Sequence, residues 1–136
     1  MSNLRKVAIL YALTLSAVAI IGHIPGTVDA QGRIFGIFRL TIYNDILHLS
    51  SAIWAAVAAW LSHRASKTFL QYFGSLYLLD GLMGLILGSG YLDLGIVNYG
   101  IQNLPIMFKI LANTPHIFLG GCALLAAQFL DEKHAQ

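Results

Sequence analysis

Four apolar segments, almost free of charged residues, constrain the fold of this chain more than any other feature. They are residues 7–22, 46–62, 69–91 and 116–130 of a 136-residue sequence. A helix of about 20 apolar residues crosses the hydrocarbon core of a bilayer. Only 10% of the residues are charged, against roughly 25% in a soluble domain. The sequence therefore predicts an all-α integral membrane protein, with four transmembrane helices forming one membrane domain over residues 1–136.

The first apolar segment follows Arg5 and Lys6, an arrangement that also occurs in secretory signals. No small-residue cleavage site ends the segment, because His23, Ile24 and Pro25 follow Gly22. We therefore expect this segment to be retained as the first transmembrane helix.

The eight basic residues are spread singly or in pairs, which bears on partners and on orientation. Because they form no basic stripe, nucleic acid is excluded as a partner, and the lipid bilayer is the expected one. If the N-terminus is cytoplasmic, the cytoplasmic side holds five of them and the outer side three, namely Arg5, Lys6, Arg64, Lys67 and Lys133 against Arg33, Arg39 and Lys109. The positive-inside rule then predicts a multi-pass protein of the bacterial inner (plasma) membrane with both termini in the cytoplasm.

Two long connections, residues 24–44 and 92–113, join helices 1 and 2 and helices 3 and 4. Both are apolar for loops, with aromatic and aliphatic residues flanked by single cations. Such segments suit the membrane interface, where the cationic groups reach water. We also predict that Asn44 and Asp45 cap the second helix, and that Asn113 and Thr114 cap a fourth helix beginning at Pro115.

The two halves of the chain, about residues 1–66 and 67–136, share a pattern. Each consists of an apolar helix, a long connection, a polar cap, and a helix that carries a histidine near its start, His48 or His116. The pattern predicts two tandem two-helix repeats with the same orientation in the membrane.

Residues 36–49 (GIFRLTIYNDILHL) and residues 104–120 carry a family resemblance. They resemble the loop and the Asn-x-x-x-His pattern of a small four-helix bacterial membrane family, domain of unknown function 4383. The second copy departs from the pattern, since it reads Asn-Thr-Pro-His at residues 113–116. The resemblance implies a four-helix membrane fold and no particular activity.

His48 and His116 are candidate ligands, because the repeat would bring two imidazoles to a similar depth. Facing imidazoles can ligate haem iron or a transition metal, and a helix N-terminus favours the neutral ring that a ligand must be. The favoured alternative is structural, with each ring bonded to loop carbonyls or to Asn44 and Asn113. The cofactor therefore stays unknown at this point, with haem or a transition metal as the less favoured possibility.

Asp80 lies within the third apolar segment, where an acid is expected to face the interior of the bundle. We expect either a functional acid or a neutral one bonded to Ser16, Ser51 or Tyr77. Gly84 and Gly88 form a Gly-x-x-x-Gly pair, which predicts close packing against another helix.

Three functions remain open from these residues. The first is a non-catalytic structural or accessory subunit, in a homo-oligomer or a larger membrane complex, that associates through its glycine face. The second is a bis-histidine haem or metal protein, and the third is a small transporter or proton pathway that uses Asp80. No catalytic residues are predicted, because the sequence lacks a nucleophile-and-base set and a phosphate-binding loop.

Overall fold

A computed structural model describes residues 1–131 of the chain. Within that range the fold is all-α and contains no strand, which confirms the predicted helical class. The helices are α1 (Asn3–Ile21), α2 (Ile42–Leu61), α3 (His63–Leu87), α4 (Gly95–Tyr99) and α5 (Ile106–Phe129). Four of them are long, and α4 is a single short turn of helix within the second connection.

Three helices, α1, α3 and α5, are long and apolar enough to cross a membrane. The 20-residue helix α2 falls outside this group. Its first turns carry Asn44, Asp45 and His48, which lower its mean hydropathy. The described residues therefore contain three candidate membrane spans, whereas four were predicted from the sequence.

The long helices form two hairpins, because α1 packs mainly on α2, and α3 mainly on α5. Residues 22–41 and 88–105 connect the helices within each hairpin and lie at one end of the bundle, here called the connection end. At the opposite end, the junction end, α2 joins α3 through Ser62.

Both described ends of the chain lie at the junction end. Arg5 Nε donates to the carbonyl of Ala59, at 2.6 Å. Asp131 pairs with His63 at 2.8 Å and with Lys67. The hydrogen bond from Lys67 lowers the pKa of Asp131 below its usual range, so this end of the bundle is closed by an ionised pair.

Aromatic and small side chains fill the core. Tyr11, Phe69, Phe73 and Tyr77 form a continuous row, with ring centroids 4.0–6.3 Å apart. The α2 side of the core consists of alanines that allow close helix approach, namely Ala52, Ala55, Ala58 and Ala59. The polar end of Tyr11 is satisfied, since its hydroxyl donates to the carbonyl of Leu119 at 2.6 Å.

Glycines set the spacing between α3 and α5. A Cβ added at Gly74 would lie 2.9 Å from the carbonyl oxygen of Gly120, and one added at Gly120 would clash with the backbone of Leu78. Gly84 faces Asn113 just as closely. Gly88 has another role, because it ends α3 in the left-handed conformation, with φ 81°, beside the carbonyl of Gln102.

Helix α5 begins at Ile106, nine residues before the predicted start at Pro115. Pro115 lies inside it, and the prediction that Asn113 and Thr114 are caps is wrong. Their side chains donate instead to carbonyls one turn earlier in the same helix, those of Lys109 at 2.8 Å and Ile110 at 2.6 Å. Pro115 therefore lies inside α5 and does not mark its start.

Helix α2 begins at Ile42, with Thr41 as its N-cap. Asn44 supports this start from the third helical position, since its Oδ1 accepts from the backbone N–H and the hydroxyl of Thr41, both at 2.9 Å. Thr41 and Asn44 together form a capping box. Asp45 is not a cap, and its carboxylate pairs with His23 at 2.8 Å.

Candidate functional site

The two histidines singled out in the sequence meet across the bundle. No Cα atom of α2 comes within 8 Å of one in α5 in the described chain, yet the rings of His48 and His116 lie 6.3 Å apart, centroid to centroid. Their planes are inclined by 76°. Both rings lie beyond the first turn of their helices, where the partial charge of the helix N-terminus has little effect. The helix N-termini therefore have little influence on either ring, contrary to the expectation from the sequence.

Asp80 holds His116 and anchors the second connection. Its side chain is only 2% exposed. Oδ2 contacts His116 Nδ1 at 2.5 Å, and Oδ1 accepts from the backbone N–H groups of Tyr91 and Leu92 at 2.7 and 2.8 Å. These partners replace the predicted Ser16, Ser51 and Tyr77. Because α3 ends at Leu87, Asp80 also lies about two turns from the connection end rather than at mid-helix.

The contact with Asp80 defines the tautomer of His116. A carboxylate that accepts two backbone N–H groups acts as an acceptor toward the imidazole as well, so His116 carries its proton on Nδ1. The lone pair on Nε2 then remains free to accept a hydrogen bond or to bind a metal. A carboxylate that orients an imidazole in this way is typical of metal-ligating and of proton-accepting histidines.

His48 is buried without a hydrogen bond. It is 5% exposed, and its Nδ1 has no partner within residues 1–131. The predicted bonds to Asn44 and Asn113 are not formed, since the Asn44 amide donates to Asp93 at 2.8 Å and the Asn113 amide to Lys109. Buried polar atoms are nearly always paired, so the unpaired Nδ1 sets His48 apart from His116, whose Nδ1 contacts Asp80.

A cavity of about 580 Å³ at the connection end contains His48, Asp80 and His116 in its lining. Both connections and all five helices contribute to its walls. Most of the lining is apolar, and three cations also border the cavity, namely Arg33, Arg39 and Lys109. Small-molecule sites are typically cavities of about 300–1,000 Å³ with apolar walls and a few convergent polar groups.

Sequence reasoning missed Asp93, and it named Tyr77 only as a possible partner of Asp80. The ring of Tyr77 packs against His116, with centroids 4.9 Å apart, and its hydroxyl lies 3.5 Å from Ser51 Oγ. Asp93 accepts from Asn44 and from the backbone N–H of Gly95, which ties the second connection to α2. The spacing of Tyr77, three residues before Asp80, was the available signal, because such residues share a helix face.

The described residues contain no cluster of three or more His, Cys, Asp or Glu side chains able to hold a metal ion. The site therefore offers two imidazoles, one of them oriented by a carboxylate, at the polar end of a largely apolar cavity.

Comparison with known proteins adds no relative, since no family model, curated protein or solved structure matches the chain. The resemblance to domain of unknown function 4383 therefore stays a prediction, and functional reasoning depends on the site itself.

Proposed function

We propose that the protein is a non-catalytic membrane protein with four spans, which binds a small molecule in the cavity beneath its two connections. The observation that carries this proposal is the cavity of about 580 Å³, whose lining brings His48 together with the Asp80–His116 pair. A ligand in this cavity would meet two imidazoles and mostly apolar walls.

Membrane insertion is supported by the distribution of apolar side chains. Each long helix exposes large apolar residues along its outer face, including Leu13 (65%), Ile53 (58%), Leu79 (57%), Ile86 (72%) and Phe118 (64%). A soluble monomer rarely exposes contiguous apolar patches of this kind, whereas lipid covers them at no cost.

A fourth span through α2 is supported by the direction in which its residues face. The polar residues Asn44, His48 and Ser51 are buried in the bundle, while Ile53, Trp54 and Val57 are exposed. These three polar residues would therefore not meet lipid. The basic residues at the junction end and at the connection end favour cytoplasmic termini; Lys133, which entered that comparison, lies outside the described residues.

The two other hypotheses lose support from the geometry. Association through the glycine face would require opening the bundle, because Gly84 is covered by Asn113 of α5. An oligomer or a larger complex would need a different surface. A proton pathway through Asp80 has less support, because both of its carboxylate oxygens hold structural hydrogen bonds to His116 and to the second connection.

Filling the cavity tests the proposal. Ala112 lines it, so Ala112→Trp is expected to displace the bound molecule without changing either histidine. Native mass spectrometry of gently solubilised wild-type protein should reveal a stoichiometric adduct that Ala112→Trp lacks.

The matched control is Ala56→Trp, because Ala56 is on the exposed face of α2 and is expected to keep the adduct. A wild-type chain without any adduct, or an adduct that survives in Ala112→Trp, would contradict ligand binding in this cavity.

A further inference from the structure

We infer that the cavity takes an iron tetrapyrrole, with His48 and His116 as the two axial ligands of the metal. This inference rests on the proposed ligand-binding role of the same cavity and specifies the class of ligand. It follows from four features of the site, namely the spacing of the rings, the number of ligands, the orienting carboxylate and the placement of the cations.

The separation of the imidazoles fits one metal centre between them. A bond from a metal to an imidazole nitrogen is about 2.0 Å long, so rings on opposite sides of one ion have centroids about 6 Å apart. The observed separation is 6.3 Å. The two rings come from α2 and α5, which do not pack directly on each other in the described chain, and both rings line the cavity.

The number of protein ligands favours a metal held in a tetrapyrrole over a bare metal ion. A bare zinc ion takes three or four protein ligands, and no third metal-binding side chain joins the two histidines within residues 1–131. A tetrapyrrole supplies four equatorial nitrogens itself and needs only axial ligands from the protein. A cavity of about 580 Å³ is also far larger than a bare ion needs.

Asp80 provides the support that an axial histidine requires. Imidazoles that bind metals usually donate their second N–H to a carboxylate or a carbonyl, which fixes the ring and its tautomer. His116 has this partner in Asp80. His48 has no such partner. Its ring is held in place by burial instead.

The charges around the cavity suit the carboxylates of a haem. The cavity lining contains two acids, Asp80 and Asp93. Both already accept hydrogen bonds, Asp80 from His116 and Asp93 from the Asn44 amide. Lys109 and the exposed Arg39 line the same cavity. They would meet the propionate groups, while the macrocycle contacts apolar walls such as Leu15, Phe38 and Leu119.

The test is a titration of the detergent-solubilised protein with haemin, with empty micelles as the blank. We expect saturation at one haemin per chain, a low-spin ferric electron paramagnetic resonance signal, and sharp visible bands after reduction with dithionite. His48→Ala and His116→Ala should each lose the low-spin signal, and free imidazole should restore it. His23→Ala is the matched control, because His23 pairs with Asp45 outside the cavity.

Two further experiments distinguish binding of the macrocycle in the cavity from ligation of the iron by the histidines. Metal-free protoporphyrin should bind to the wild-type chain and to the histidine variants alike. Arg39→Gln with Lys109→Gln should weaken both haemin and protoporphyrin by about tenfold or more, because both carry the same carboxylates.

A haemin spectrum identical to that in empty micelles, or an unchanged spectrum in the His48→Ala/His116→Ala double variant, would overturn the inference. If haemin fails to bind while the adduct sensitive to Ala112→Trp persists, the cavity binds a different ligand and only the haem assignment is wrong. If that adduct is absent as well, the proposed function fails with it. Size-exclusion elution and helical circular dichroism identify any variant that has not folded.

Discussion

Replacing Gly120 with alanine is expected to destabilise the solubilised protein by about 1–3 kcal/mol, the usual cost of overpacking a tight core. A Cβ at this position would clash with the backbone of Leu78 and lie 2.8 Å from the carbonyl oxygen of Gly74. Neither neighbour is a flexible side chain that can move aside, so α3 and α5 must separate. The measurement is thermal unfolding followed by tryptophan fluorescence.

The neighbouring Gly121 provides the matched control. Nothing lies within 4 Å of a Cβ built there, so Gly121→Ala should be neutral or stabilising by up to about 1 kcal/mol through helix propensity. Equal unfolding temperatures for the two variants would show that the glycine contact between α3 and α5 is not as close as described.

Removing the carboxylate of Asp80 is expected to have the second large effect. Asp80→Ala would leave two backbone N–H groups and one imidazole N–H without acceptors, at a cost of roughly 2–5 kcal/mol. The second connection should lose its anchor, and hydrogen–deuterium exchange should rise at Tyr91 and Leu92 before it rises elsewhere.

Asp80→Asn separates the anchoring of the connection from the orientation of His116. Its amide oxygen can still accept from Tyr91 and Leu92, whereas its NH₂ group faces His116 and forces the opposite tautomer. We therefore expect a near-normal connection and a disturbed imidazole. Equal exchange at Tyr91 and Leu92 in the two variants would contradict the assigned acceptor role of Oδ1.

The helical class and the meeting of His48 and His116 were accessible from the sequence because they depend on local patterns. Apolar segments indicated the helices, and the position of each histidine after a long connection brought the two together. The start of α5 was not accessible, since Pro115 resembles a first helical residue. Only tertiary packing, together with the bonds of Asn113 and Thr114 to their own helix, shows that the helix continues through it.

The partner of His116 could not be found from the sequence for a different reason. Asp80 and His116 are 36 residues apart, and no periodicity links α3 to a residue deep in α5. Gly84 and Gly88 were similarly ambiguous, because a Gly-x-x-x-Gly pair predicts close approach without saying to which helix. In the structure Gly84 packs within the chain, and Gly88 ends α3 instead.

The most direct test of the account is the side of the membrane on which the two connections lie, because the cavity needs both at one end of four spans. In a Cys122→Ser background, Gln31→Cys and Asn103→Cys place single thiols on exposed positions of the two connections. Spheroplasts are then treated with a membrane-impermeant maleimide. We expect both thiols to be labelled from outside. Labelling of Gln31→Cys alone would mean that α2 does not cross the membrane, and it would contradict the four-span arrangement.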